Sequence, residues 1–256
     1  NRDSKNYERL VERTDLDYAE VAQWGRAAVN MYVSYDEKLG IHPQDDGFLE
    51  RKEWDFKNTP AENYPLLLNY HPLTIYRHRV IKQADLVLAL FLLGNEFSIE
   101  QKTRNFNYYD SLTTGDSSLS TGIQSIVASE IGHHQKAEEY GGFAILMDLA
   151  NINSNIRHGC HIASIGASWM VLVYGFGGMR DYNGQISFNP KLPGSCSLLR
   201  FRLNIRKNYM EIELLPEHVV YRLLRGPGLN FLHGKESVEL TMEIPEVACS
   251  YASSSG

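Results

Sequence analysis

The sequence predicts a mainly α-helical region followed by a small antiparallel β unit. Two observations carry this: apolar residues recur at three- and four-residue steps as far as about residue 173, and the period drops to two after about Gly177. A third bounds the size. The chain has 256 residues, 43% hydrophobic and 22% charged, which excludes long disorder and fibrous repeats and is enough to bury a core without disulfides or metals.

Taken in order, Asp15–Tyr35 places Val21, Trp24, Ala28 and Met31 on one helical stripe. Residues 39–75 form a long irregular stretch with Pro43, Pro60, Pro65 and Pro72 and the acidic pair Asp45-Asp46. Connections of that length are usually functional or disordered. A helix is predicted over Tyr76–Leu93. Shorter ones follow near Ile99–Tyr108, Leu119–Gly132, Gln135–Ala150 and Cys160–Val173, separated by Gly, Ser, Thr or Asn clusters. Long and short helices joined by variable loops suggest a bundle or toroid.

Beyond Gly177, Leu199, Phe201, Leu203 and Ile205 alternate with polar residues, and so do Met210, Ile212 and Leu214. A two-residue turn at Lys207-Asn208 would pair Ile205 with Met210, Leu203 with Ile212 and Phe201 with Leu214. Arg202 would then face Glu213, and Asn204 would face Glu211. Further strands are expected around Val219–Leu224 and Val238–Ile244. The glycine-rich GFGGMR at 175–180 fits no dinucleotide or phosphate-loop pattern and reads as a hinge between the two regions. The tail YASSSG reads as frayed.

With 25 Lys+Arg against 31 Asp+Glu the net charge is −6, which argues against nucleic-acid and anionic-membrane partners. Cys160, Cys196 and Cys249 are scattered, with no CxxC pair and no zinc spacing, as expected of small hydrophobes in a reducing compartment. The longest apolar run, Ala84–Gly94, is shorter than the ~20 residues that span a bilayer, and the amino terminus has no apolar signal core. A cytoplasmic protein without metal or cofactor is expected.

Four segments hold candidate chemistry. Lys82-Gln83-Ala84-Asp85 puts polar groups on an otherwise apolar helix, where Lys82 and Asp85 would pair or Lys82 and Gln83 would enter a polar pocket. TTGDSSLS at 113–120 precedes an apolar helix. Its hydroxyls and Asp116 suit capping, or an anion or sugar site on the helix amino end. In HGCHIASIG at 158–166, His161 and Ser164 share a helical face, either as small groups in a packed helix or as a phosphate cradle. The fourth is GFGGMR. No GxSxG, HExxH, DxDxDG or GKS/T motif occurs.

In order, KQAD, YYDSLTTGDSSLS at 108–120, AILMDLANINSN at 144–155 and GCHIAS…SWMVLVYGFGG…ISFNPKLP at 159–193 resemble glycoside hydrolase family 65. That family includes the maltose, trehalose and kojibiose phosphorylases and related hydrolases. The resemblance runs from about Asp15 to Pro193 and takes in GIHPQDDGFL at 40–49. It implies that residues 1–176 are part of an (α/α)6 toroid and 177–256 a carboxy-terminal β-sheet domain. It further implies cleavage of an α-glucosyl disaccharide with inversion, by inorganic phosphate in the phosphorylases or by water in the hydrolases.

By position, the resemblance assigns Lys82, Gln83 and Thr114 to the sugar, Ser117, Ser118, His161 and Ser164 to phosphate, and Asp116 as a possible accessory catalytic group. Three departures stand out: Gly115 where many members have His, His158 where many are acidic, and Gly166-Ala167 in place of paired glycines. The family's Pro-Asp-Glu-Tyr-like segment bearing the general acid is not found here. The expectation is therefore a carboxy-terminal part of a longer, homo-oligomeric enzyme, inactive alone, with the acid Glu upstream of residue 1 and apolar helix faces left exposed. A same-family hydrolase and a truncated, non-catalytic sugar-binding module are the alternatives.

Overall fold

The computed structural model describes residues 4–115, 117–152 and 156–251. The chain forms two compact units, Asn1–Tyr35 and Asp36–Gly256. The first consists of helices α1 (Ser4–Thr14) and α2 (Tyr18–Val29). Asp17 accepts from the Ala19 amide and Glu20 reaches back to the Asp17 amide, a reciprocal cap that fixes where α2 starts. The helix ends at Val29, so Met31 lies beyond it, and Val21 and Trp24 are exposed.

The second unit begins with the irregular stretch, which is ordered by short pieces. These are strand β1 (Lys52–Glu53) and single-turn helices α3 (Leu66–Asn69) and α4 (Pro72–Ile75), with β1 pairing parallel to β2 (His78–Arg79). Leu66, Ile75 and Val80 form a small core under Trp54 and Tyr70. Residues 40–49 are clasped separately: Asn105 accepts from the His42 amide at 2.8 Å, Tyr109 donates to the His42 carbonyl at 2.8 Å, and Phe48 is fully buried.

Five longer helices follow: α5 (Asp85–Leu92), α6 (Ile99–Asp110), α7 (Ser120–Glu130), α8 (His134–Leu146) and α9 (Ile162–Met170), the last running on through a π-helical turn at Val171–Phe176. Their shared core holds Val87, Phe91, Phe106, Ile126, Ala137 and Val171. The predicted helix Tyr76–Leu93 is corrected to its second half. Ile81 is instead drawn into backbone bonds with Leu112 and Thr114, which hold residues 78–84 extended or bent. Buried Lys102 (2% exposed) meets Glu130 at 2.5 Å, and Arg180 shares that carboxylate at 3.0 Å, locking α6 and α7 to the segment that leaves the π-turn.

The β region is two sheets over one core. Strands β4 (Leu199–Ile205), β5 (Asn208–Leu214), β6 (His218–Arg225) and β9 (Glu246–Ser250) make an antiparallel sheet in that order. Strands β7 (Gly228–His233) and β8 (Glu236–Thr241) pair antiparallel, while β3 (Ser187–Phe188) joins β7 in parallel, a departure from the all-antiparallel expectation. Phe188, Phe231 and Leu240 face Leu203, Ile212 and Tyr221 across the core. The Tyr221 hydroxyl donates to His233 Nδ1 at 2.8 Å, and His233 Nε2 donates to the Ser250 carbonyl.

The hairpin pairs Phe201 with Ile212 and Leu203 with Met210, two residues from the predicted register. The turn is Arg206-Lys207, both at positive φ, and Asn208 belongs to the strand, where its side chain accepts from the Gly228 amide. A two-residue slip keeps every side chain on its face, so the inside-outside pattern holds. On the outer face Arg200 meets Glu213, Arg202 meets Glu211, and Arg222 reaches Glu211, Glu213 and Glu246. The GFGG segment is no free hinge. Lys191 donates to the Phe176 carbonyl, Asn189 to Gly178 and Met179 to Val173.

Hydrogen bonds from Arg200 and Arg222 hold the Glu213 carboxyl below its ordinary value of 4.5. A carboxylate depressed in the folded state contributes stability above its unfolded value and loses it as pH falls through its folded value. The melting temperature of the wild type should fall as pH drops below 4.5, and Glu213→Gln should show a shallower acid slope. Equal slopes would contradict this account of the ladder.

Candidate functional site

Helices α5, α7 and α9 alternate with α6 and α8, which return the chain. Their amino ends therefore lie on one side. Direct contacts confirm it. Ile81, in the segment leading into α5, forms a parallel bridge with Thr113, in the connection from α6 to α7. The Ile81 amide donates to Leu112, and Thr114 donates to the Ile81 carbonyl at 3.0 Å. Ser125 of α7 donates to the Ala137 carbonyl of α8, and Ser168 of α9 to the Ala144 carbonyl of α8. Gly122 of α7 faces Ala167 of α9, where a Cβ on Gly122 would come within 2.7 Å of the Ala167 methyl. The Ala167 methyl is thus buried in helix packing, while space beside Gly166 is open.

These helix starts differ from those of α2 and α6. Ser98 and Gln101 cap α6 reciprocally, whereas none of α5, α7 and α9 has a hydrogen bond from its own N-cap side chain. Free amides at a helix start carry partial positive charge and receive anions or hydroxyls. Beside them, the hydroxyls of Ser120, Thr121 and Ser164 are buried without a hydrogen-bond partner among the described residues. A buried hydroxyl left unpaired costs free energy, and three such groups lie in the first turns of the packed helices α7 and α9.

The predicted residues fall here unevenly. Lys82 and Gln83 precede α5 and are not on it. Asp85 accepts from Gln83 at 2.9 Å rather than forming the expected pair with Lys82. The bridge through Ile81 sets Lys82 alongside Thr114. Ser117 is buried, and its Oγ accepts from the Leu119 amide, while Ser118 is half-buried on the same turn. Asp116 lies outside the described residues. His161 stands at the start of α9, one turn before the unpartnered Ser164.

Asp148, just past α8, had no role in the sequence reading. Its Oδ2 accepts from the His161 amide at 2.8 Å, and its Oδ1 lies 2.6 Å from His161 Nδ1. These bonds, the ring contact foremost, hold the Asp148 carboxyl below the usual carboxylate range. The available signal was an Asp thirteen residues before a His, across a segment without helical period. A separate cavity of about 280 Å³, lined by Ser129, His134, Glu138, Phe176 and Lys191, lies at the far end of α7. It is roughly 13 Å along the helix from Ser120, so it is distinct from the helix-start site. Among the described residues no cluster of three His, Cys, Asp or Glu suits a metal, and no helix is long and apolar enough to cross a membrane.

Residues 2–170 match the glycosyl hydrolase family 65 central catalytic domain, and residues 179–240 match the family's C-terminal domain. An alpha,alpha-trehalose phosphorylase of Geobacillus stearothermophilus is 41% identical over 92% of this chain and 31% of its own length. A maltose phosphorylase of Bacillus subtilis is 32% identical over 88% and 30%. A kojibiose phosphorylase of Halothermothrix orenii is 31% identical over 83% and 27%. The chain thus spans about a third of these relatives. A solved structure from the human microbiome, described as kojibiose phosphorylase-like, superposes with a TM-score of 0.85 at 30% identity, covering 95% of this chain and 36% of the other. The helical region is part of an (α/α)6 toroid, followed by the small β-domain.

If Ser164 Oγ is reserved for a ligand, removing it costs the fold little. Ser164→Ala should stay within about 0.5 kcal/mol of wild type in urea unfolding. Ser168→Ala, which loses bonds to Ala144 and Ser164, should cost about 1 kcal/mol. Equal losses would mean that Ser164 serves packing.

Proposed function

The chain belongs to glycosyl hydrolase family 65, and on that footing we propose that it is the carboxy-terminal part of a disaccharide phosphorylase. Residues 1–176 supply part of the barrel and 177–256 its β-domain, a division supported by an apolar core in each part, the two meeting at Val173, Tyr174 and Leu199. The substrates are an α-glucosyl disaccharide and inorganic phosphate, and the products are β-glucose 1-phosphate and a free sugar. The whole is a cytoplasmic, homo-oligomeric enzyme of carbohydrate metabolism without cofactor, a glycosyltransferase in its transfer to phosphate.

The observation that carries this reading is the convergence of three helix starts that lack a cap from their own N-cap side chains beside the unpartnered hydroxyls of Ser120, Thr121 and Ser164. Phosphate brings several acceptor oxygens, which suits a lining of amides and hydroxyl donors. Ser117, Ser118, His161 and Ser164 hold it there, and Lys82, Gln83 and Thr114 hold the sugar on the adjoining α5 side. Phosphate attacks the anomeric carbon from the face opposite the leaving group, with inversion. Already an anion, it needs placing rather than deprotonating. The general acid that protonates the leaving oxygen is a Glu in a segment preceding these residues, with Asp116 as an accessory group. Alone, the 256 residues would bind without turning over.

A same-family hydrolase would share the sugar groups and use water. A non-catalytic sugar-binding module would need no acid in any encoded segment. The test is the full-length parent assayed on trehalose, maltose and kojibiose with and without phosphate. Phosphate-dependent release of glucose 1-phosphate is expected. Turnover indifferent to phosphate would establish the hydrolase, and a parent without turnover the binding module.

A further inference from the structure

Asp148 grips His161 twice, at the backbone amide and at ring Nδ1. The amide contact alone would satisfy the start of α9, and Ser168 already fixes the register of α9 on α8 through the Ala144 carbonyl. The ring contact is therefore surplus to the fold. Both side chains remain about one-fifth exposed, 22% for His161 and 19% for Asp148, so the pair is not a core element. An ionised carboxylate offers only acceptors, which makes Nδ1 the protonated ring nitrogen and leaves Nε2 for other work.

We propose that Asp148 is a positioning residue for phosphate: it selects the Nδ1–H form of His161 and fixes the ring so that Nε2 serves the oxyanion at the start of α9. The inference rests on the phosphate-site reading above. In either charge state Nε2 has a use there. The neutral ring accepts from a P–OH, and the protonated ring donates to a phosphate oxygen. With Nδ1 bare, its lone pair would face the Asp148 carboxylate and the ring would turn away. Ser164, one turn along α9 with its hydroxyl buried and unpartnered among the described residues, supplies the neighbouring donor.

Long-range proton–nitrogen NMR of the histidine-labelled chain tests this, with inorganic phosphate as the probe. Wild-type His161 should carry its proton on Nδ1 and shift at Nε2 as phosphate is added. Asp148→Ala should lose the Nδ1 preference and raise the phosphate midpoint about tenfold, the scale of effect of removing a histidine's orienting partner. Asp148→Asn, which keeps one neutral acceptor, should fall between the two and also serves if the alanine variant fails to fold. A bare Nδ1 in the wild type, or equal phosphate midpoints in wild type and folded variants, would overturn the proposal. A wild-type His161 indifferent to phosphate would instead overturn the phosphate site itself, while the Nδ1 proton would still report the Asp148 contact.

Discussion

Gly122 and Ala167 set a close approach between α7 and α9, with no room for a methyl on Gly122 without displacing Ala167. That contact holds α7 and α9 side by side. The same device recurs at Gly141, whose Cβ would meet Val171 and Ser125 and which lets α8 lie close to both neighbours. Close approach without a side chain at the crossing brings two helix starts together with little intervening side-chain bulk. The polar groups at those starts then share one small volume.

From that constraint the division of labour follows. Helix α6 runs opposite to α5 and α7 and is closed by its own capping box, with Asn105 and Tyr109 turned to the 40–49 segment. The parallel starts of α5, α7 and α9 lack a cap from their own N-cap side chains, and Asp148 reaches across from the end of α8 to the His161 amide at the start of α9. Stability is supplied elsewhere: by the apolar core around Phe106 and Ile126, by the Lys102–Glu130–Arg180 group, and by the β sandwich beneath its Arg–Glu ladder. A structure secured on those elements can leave buried hydroxyls unpaired at one edge, as the proposed phosphate site requires.

Much of this was legible in the sequence, and the rest fails for identifiable reasons. The helices from Ile99 to Met170 and the strands around Phe201 and Ile212 follow from periodicity, because burial on one face dictates the pattern. The start of α5 does not. HRVIKQAD is compatible with helix, and the pairing of His78–Arg79 with β1 and the tertiary bonds of Ile81 to Leu112 and Thr114 hold it extended. The hairpin faces were readable, but the register was not, because the positive-φ turn residues are Arg206 and Lys207, without the Gly or Asn that normally marks such a turn. At the site, His161 and Ser164 could be named from spacing and resemblance. Asp148 could not, since its link to His161 spans an irregular loop with no local signal.

The central claim is that the first turns of α7 and α9 form one anion-binding edge. Amide hydrogen exchange with and without inorganic phosphate tests it most directly, because it reads the backbone groups assigned to the ligand. The account predicts added protection in residues 117–122 and 161–166, with the β sandwich at 199–250 unchanged. Unchanged exchange at both helix starts, or protection confined to the sheets, would contradict it.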